Sequence, residues 1–327
     1  MTKQIRKHLS TPRIIALGFA AAILLGSVLL MLPCSVRPGV DLQYIDSLYT
    51  STSAVCVTGL ITVDAGDTFT PLGQLILGLL IQVGGLGVTA VGAGIIVLMG
   101  RRVDLKGRNV VREAMNLDTG HGIVQFIRSI FWTTLIFEAA GAVLSFFSFV
   151  RTRPWPQAIG ISIFHSVAAF NNSGFDILGG GTSLIPYKDD ILLNLVTSAL
   201  IICGGIGFWV IREVAALGPH WKKYSMHTKV VLSVTAVLLK ATEDITWLGA
   251  FFNSVSARTA GFATYPLSGF TDAGLLVMIA LMFIGASPGS TGGGIKTTTF
   301  FTLLQGIKSA ATNHSEKAFH YALPRDA

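Results

Sequence analysis

Residues 49–60 read YTSTSAVCVTGL, residues 164–175 read FHSVAAFNNSGF, and residues 252–262 read FNSVSARTAGF. Each stretch starts on an aromatic residue, places a serine two positions later, and passes through small residues to a glycine followed by an apolar residue. Those closing pairs are Gly59-Leu60, Gly174-Phe175 and Gly261-Phe262. A long apolar run follows each time and carries a second glycine cluster: Gly84-Gly85-Leu86-Gly87, Gly204-Gly205-Ile206-Gly207, and Gly289 to Gly294. Self-similarity of this kind marks one supersecondary unit used several times.

Each unit reads as apolar span, short amphipathic helix, glycine-containing loop, apolar span. The short helices should run about 10–13 residues, too few to cross a hydrocarbon core of about 30 Å and suited to a re-entrant segment. Irregular backbone at membrane depth is tolerated only where protein buries it or it lines a water-filled cavity. Three such loops point to one shared cavity. The expected fold is an all-α integral membrane protein, its units arranged around a pseudo-symmetric pore. Residues 1–115 form the first repeat and 116–224 the second. Residues 225–327 form a third with a shortened first span, a broken second span and a polar tail.

Composition agrees. Of 327 residues, 51% are hydrophobic and 13% charged, with a mean hydropathy of +0.64; soluble domains carry about 25% charged residues. Ile14 to Leu32 is interrupted only by Gly18, Gly26 and Ser27, and Leu75 to Met99 has few polar residues besides Gln82 and Thr89. The net charge of +7 could suggest a nucleic-acid surface, but the basic residues gather at the ends of apolar spans, so no nucleic-acid partner is expected. Cys34, Cys56 and Cys203 lie far apart and form no metal or disulfide pattern. The first apolar run is too long for a signal peptide and lacks a small-residue cleavage site, and Pro33 spoils Leu-Pro-Cys as a lipoprotein site.

Charge also sets the topology. Arg101, Arg102, Lys106, Arg108 and Arg112 follow the second span of unit one, and Arg212, Lys222, Lys223 and Lys229 follow that of unit two. With the basic N-terminus they mark the cytoplasmic side. Asp41, Asp64, Asp67, Asp176, Asp189 and Asp190 fall in the external loops, where they would concentrate cations. A multi-pass protein of the cell membrane is expected, with lipid as its surroundings.

A dehydrated potassium ion needs oxygen ligands in place of water. Backbone carbonyls supply them without a full charge, and glycine permits the dihedrals that aim successive carbonyls at one axis. The ring would come from Val57, Thr58 and Gly59, from Asn172, Ser173 and Gly174, and from Thr259, Ala260 and Gly261. The plainer reading of each glycine is a helix C-cap.

Four motifs, Cys56-Val57-Thr58-Gly59-Leu60, Asn171-Asn172-Ser173-Gly174-Phe175-Asp176, Ala257-Arg258-Thr259-Ala260-Gly261-Phe262 and Ser287-Pro288-Gly289-Ser290-Thr291-Gly292-Gly293-Gly294-Ile295-Lys296-Thr297, together resemble the Trk/Ktr/HKT superfamily of potassium transporters. Within it the chain is most similar to the Ktr-type ion-conducting subunit, over nearly its whole length. The resemblance implies a channel-like filter with one glycine per repeat. It also implies a homodimer on a cytosolic ring of nucleotide-binding regulatory subunits, and no cofactor beyond transported K⁺ or Na⁺. The fourth motif is not a phosphate-binding P-loop, because Ile295 separates Gly294 from Lys296 and no strand precedes it. By the resemblance, Gly289, Ser290, Thr291, Gly292, Gly293, Gly294 and Lys296 belong to an intramembrane gating loop beneath the filter. A packing kink with a snorkelling lysine is the alternative.

The chain departs from the family pattern in two ways. Family members have four repeats and three are found here, so a fourfold carbonyl ring lacks a quarter. The apolar run Val230 to Leu239 has ten residues, about half a bilayer of helix. A fragment, an internally deleted form and a form completed by another polypeptide all fit. The second functional class is therefore a truncated, non-conducting assembly subunit. A membrane enzyme is disfavoured, because no triad, metal set or carboxylate pair converges in the spans. Glu138 is a functional candidate as an intramembrane ionisable residue, or else a helix-to-helix hydrogen-bond partner. His165 is expected to cap or pack, and Gly84, Gly85, Gly204 and Gly205 to be close-packing positions.

Overall fold

The computed structural model describes residues 10–98, 110, 123–218, 245–312, 317–318 and 321–322. The chain enters the membrane as α1 (Thr11–Leu30), started by a proline in its first turn. Helix α2 (Tyr44–Cys56) follows, then the short α3 (Ala65–Thr68). Helix α4 (Pro71–Leu86) is capped by Thr70, whose hydroxyl accepts from Gly73 N. Helix α5 (Val88–Leu98) continues from it after a single glycine. The second unit repeats this order as α6 (Ile123–Phe149), α7 (Trp155–Phe170), α8 (Ile191–Gly205) and α9 (Phe208–Leu217). In the third, α10 (Trp247–Ser256), α11 (Asp272–Phe283) and α12 (Thr297–Thr312) are described. The second spans start alike: Asp190 accepts from Leu193 N and Thr271 from Gly274 N, as Thr70 does for α4. Among the described residues the only ladder is the two-residue pair β1 (Lys317–Ala318) and β2 (Tyr321–Ala322), so the fold is all-α.

Helices α1 and α6 are long and apolar enough to cross a membrane. Their large apolar side chains face outward, including Leu24, Leu25 and Val28 on α1 and Leu135, Ile136 and Val143 on α6. Their buried faces include Ser27 on α1 and Thr134, Ser145 and Ser148 on α6. This is the arrangement lipid imposes, because helix association there depends on close packing and interhelical hydrogen bonds. Helix α2 lies between α1 and α4, and α7 lies between α6 and α8. The units join where α4 meets α7 and where α8 meets α10.

The packing repeats at a spacing of 115 residues. Ser51 Oγ donates to Ile23 O at 2.8 Å, and Ser166 Oγ donates to Glu138 O at 2.7 Å. A Cβ on Gly26 would meet the Ser51 hydroxyl and, at 2.7 Å, Leu80; one on Gly141 would meet the Ser166 hydroxyl and, at 2.7 Å, Leu200. The glycines let each first span close onto its short helix.

Three expectations need correction. The short helix of unit two is 16 residues long, not 10–13, because Trp155-Pro156 starts it early and apolar residues continue it. The second spans of units one and two are broken, as well as that of unit three. Gly87 (φ +82) separates α4 from α5, and Ile206-Gly207 (φ +93 at Gly207) separates α8 from α9. Hydropathy is blind to such a dihedral change within an apolar run. The stretch from Lys308 starts inside a helix, since α12 runs to Thr312. The run Val230 to Leu239, the basic cluster 101–112 apart from Val110, and Lys222, Lys223 and Lys229 lie outside the described residues.

Candidate functional site

The short helices of units one and two end alike. Val57 N reaches Ala54 O and Thr58 N reaches Ser53 O; Asn172 N reaches Ala169 O and Ser173 N reaches Ala168 O. These are paired closing bonds of the kind that usually place a glycine in the left-handed position. Here that position is held by Val57 (φ +55) and Asn172 (φ +56), with Thr259 (φ +88) in the third loop. The glycines come two residues later with positive φ of their own: +71 at Gly59, +71 at Gly174 and +81 at Gly261. The C-cap alternative therefore fails for Gly59 and Gly174, whose helices are closed before the glycine is reached; in the third loop Ala260 N and Gly261 N both reach Ser256 O, so Gly261 shares in the closing bonds. A left-handed valine and threonine are unusual for β-branched residues, and the deviation recurs in all three loops.

The glycines also face one another. A Cβ on Gly59 would lie 2.6 Å from Ser173 O and 3.3 Å from Gly174 Cα. One on Gly174 would lie 2.6 Å from Ala260 O, 3.2 Å from Gly261 Cα and 3.3 Å from Gly59 Cα. One on Gly261 meets only Gly174 Cα, at 3.4 Å. Each glycine thus leans on the carbonyl of the next loop, and the series stops at Gly261. Val57, Asn172, Ser173 and Ala260 are buried, and Thr58, Gly59 and Gly261 are more open. Asn172 Oδ1 and Thr259 Oγ1 are buried without a partner in the described structure.

Below these loops the chain between α11 and α12 folds back on itself. Gly285 N donates to Ile295 O at 3.0 Å, and Ala286 N to Gly293 O at 3.0 Å. Its tip docks into the break between α8 and α9. Ser287 N donates to Gly205 O at 3.0 Å, Thr291 N to Gly204 O at 3.1 Å, and Phe208 N to Gly289 O at 3.0 Å. A helix broken in a membrane leaves backbone groups that nothing in lipid can satisfy, and this tip satisfies three of them. Thr291 Oγ1 donates to Phe170 O at 2.8 Å and accepts from Asn172 Nδ2 at 3.0 Å. Gly292 lies under Thr259, whose hydroxyl a Cβ would approach to 2.6 Å. Ser290 Oγ donates to Ser287 O, and Gly289 and Gly294 both have positive φ. A cavity of about 30 Å³ beside the tip is lined by Asn172, Gly205, Arg258, Ser287 and Thr297 among others.

The family model described as TrkH, cation transport protein, matches residues 19–233 and 226–321. The chain belongs to this family. It is 38% identical over 322 residues to the potassium/sodium uptake protein NtpJ of Enterococcus hirae, covering 93% of this chain and 71% of that one. It is 35% identical over 317 residues to the Ktr system potassium uptake protein B of Bacillus subtilis, covering 90% and 70%. The crystal structure of the potassium transporter TrkH from Vibrio parahaemolyticus shares the fold with a TM-score of 0.73 at 20% identity, over 96% of this chain and 66% of that one. These relatives bear the names of ion transporters, not enzymes, and the TrkH fold places the chain in a membrane.

Within this TrkH-family chain the other polar candidates separate. His165 packs: its Nε2 is 2.8 Å from Thr197 Oγ1, and its ring meets Phe149 and Phe262 edge-on. Lys296 turns back on its own loop, donating to Gly292 O at 2.8 Å. Glu138 is a helix-to-helix partner, with Oε1 accepting from Asn171 Nδ2 at 3.0 Å. Gly84 packs on Val55 O and Gly204 on Phe170 O, and Gly85 on the Asn171 side chain.

Asp64 and Asp67 have structural work that the sequence did not disclose. Asp64 Oδ2 accepts from Gly181 N at 2.7 Å and Asp67 Oδ2 from Gly180 N at 2.8 Å, tying unit one to the glycine-rich loop of unit two. Asp176 stands nearby, with Leu178 N donating to it at 3.0 Å. Burial pushes its carboxyl up to about 6; the Leu178 N–H opposes this, and the charges of Asp64 and Asp67 add to it.

Proposed function

We propose that this chain passes potassium ions, and sodium less readily, across the cell membrane through backbone carbonyls of its three glycine loops. The supporting observation is the convergence of Gly59, Gly174 and Gly261, each with positive φ and each two residues beyond a left-handed residue. The carbonyls of Val57, Thr58 and Gly59, of Asn172, Ser173 and Gly174, and of Thr259, Ala260 and Gly261 replace the ion's water. Backbone dipoles do this without binding the ion so tightly that it cannot leave. The membrane potential, inside negative, drives uptake. The loop from Gly289 to Lys296 gates the path from below. No cofactor takes part, and K⁺ is cargo. The names of the relatives, two of them potassium uptake proteins, point the same way. The functional assembly is a multi-pass homodimer on a cytosolic nucleotide-binding ring.

A second reading rests on one observation. Among the described residues the Gly261 side of the series meets no carbonyl of another loop. On that reading the chain is a non-conducting assembly subunit. The deciding experiment is K⁺ uptake in a host lacking its own uptake systems, with the chain intact or carrying Gly59→Ser, Gly174→Ser or Gly261→Ser. Growth at low K⁺ that these glycines control supports conduction. Correct insertion and dimerisation with no K⁺ flux supports the assembly reading.

A further inference from the structure

The residue three places before each filter glycine differs: Cys56, Asn171 and Arg258. Asn171 is fully buried at the end of α7. Its Nδ2 lies within hydrogen-bond reach of three acceptors: Gln82 Oε1 at 2.9 Å, Glu138 Oε1 at 3.0 Å and Val167 O at 2.9 Å. Gln82 comes from α4 of unit one and Glu138 from α6 of Asn171's own unit, so one amide is held across the boundary between the two units.

The first unit does without this arrangement. Ile23 stands where Glu138 stands, since each gives its backbone carbonyl to the corresponding serine, Ser51 or Ser166. Cys56 stands where Asn171 stands, and α2 still closes with the same pair of backbone bonds and the same left-handed residue. Neither the helix nor its turn requires the polar trio. An ionisable side chain within a span is expensive to keep, and unit one closes without one, so its presence in unit two calls for a role other than folding.

Two further features say what that role is. Asn172, next in the chain, has positive φ, and its side chain also donates to Phe170 O at 3.2 Å. A change in the setting of Asn171 therefore passes straight to the peptides whose carbonyls face the glycine series. Gln82 and Glu138 also line a cleft of about 640 Å³ walled by Leu75, Leu79, Leu135 and Ile163. Loose surroundings leave hydrogen bonds, and not tight packing, to fix the two acceptors.

We infer that Glu138 and Gln82 are positioning residues for ion selection, holding Asn171 so that the Asn172 and Ser173 carbonyls keep the spacing that favours K⁺ over Na⁺. This rests on the filter reading above. The operative property is the acceptor oxygen and not the charge. The replacement Glu138→Gln keeps an acceptor, and Glu138→Ile with Asn171→Cys installs the pair that unit one already uses.

The test is thermal melting of the purified full chain against KCl and NaCl titrations, because an ion bound to the folded state raises the melting temperature according to its affinity. Potassium should protect the wild-type chain at lower concentration than sodium. E138Q should keep that ratio. E138I/N171C and Q82L should each melt near the wild-type temperature without added ions but lose at least about threefold of the K⁺-over-Na⁺ ratio, equivalent to roughly 0.6 kcal/mol. An unchanged ratio in E138I/N171C overturns the inference, as does a loss in E138Q as large as that in E138I/N171C. If E138I/N171C does not fold, Q82L decides alone: a lowered ratio supports the inference and an unchanged ratio overturns it. A wild-type chain protected equally by both ions removes the filter reading itself, and the inference with it.

Discussion

The first and second units share the serine bond to the first span and the closing turn of the short helix, and differ in the side chains behind that turn. Gly26 and Gly141 meet the same kind of serine, and Val57 and Asn172 hold the same left-handed turn. Behind that turn unit one has Cys56 and Ile23, while unit two has Asn171 and Glu138 and is met by Gln82 from unit one. What the units share is what the fold needs; what only one has is available for function. Unit three sharpens this. Its serine, Ser254, is buried, and Ser254 Oγ has no partner in the described structure, where Ser51 and Ser166 each reach a first-span carbonyl.

The largest effect should separate the filter glycines. Gly59→Ser and Gly174→Ser must bear both a strained dihedral, about 1–2 kcal/mol, and overlap with a carbonyl, about 1–3 kcal/mol. K⁺ uptake by either variant should fall at least about tenfold. Gly261→Ser carries the dihedral strain without the carbonyl overlap and should lose less. Equal losses at all three positions would mean that a fourth carbonyl meets Gly261 in the working assembly.

Next in size, Gly26→Val and Gly141→Val should destabilise the chain by similar amounts, about 1–3 kcal/mol each, as measured by melting in detergent. Strongly unequal values would break the equivalence of the two units.

The external face gives a pH dependence. The Asp176 carboxyl holds its proton to about 6 when folded, against 3.8 ordinarily. The folded state therefore binds more protons than the unfolded state in this window. Stability contributed at low pH is lost as pH rises through it. Asp176→Asn should abolish the decline between about pH 4 and 6 and gain on the order of 3 kcal/mol at pH 7, read from melting temperatures across pH. Unit one has no counterpart to this carboxyl, because Ile61 follows Leu60 where Asp176 follows Phe175.

The smallest effect should be Thr291→Val, which removes two bonds between the re-entrant loop and unit two at about 1 kcal/mol each. If the loop closes the path, uptake should rise severalfold. An unchanged rate would make Thr291 a packing residue.

Much of this could be read in the sequence, because repetition turns weak signals into strong ones. A single Thr-Gly or Ser-Gly means little, but three between apolar runs define the unit. Three features could not be read. The breaks at Gly87 and Gly207 are dihedral events inside runs that remain apolar throughout. The Asn171 trio joins residues 89 and 33 positions apart, and nothing local announces either partner. Asp64 and Asp67 looked like free charge at an external mouth, and their bonds to Gly180 and Gly181 depend on how the two units meet.

The docking of the re-entrant tip into the α8–α9 break also ties its movement to the state of that break. While docked, the tip satisfies Gly204 O, Gly205 O and Phe208 N. If it leaves, those groups need other partners, and an unmet backbone group in an apolar setting costs several kcal/mol. Either water arrives in the same place, or the break closes so that Phe208 N pairs with Gly204 O as in an unbroken helix. Undocking of the tip is therefore tied either to wetting of this spot or to straightening of the broken span.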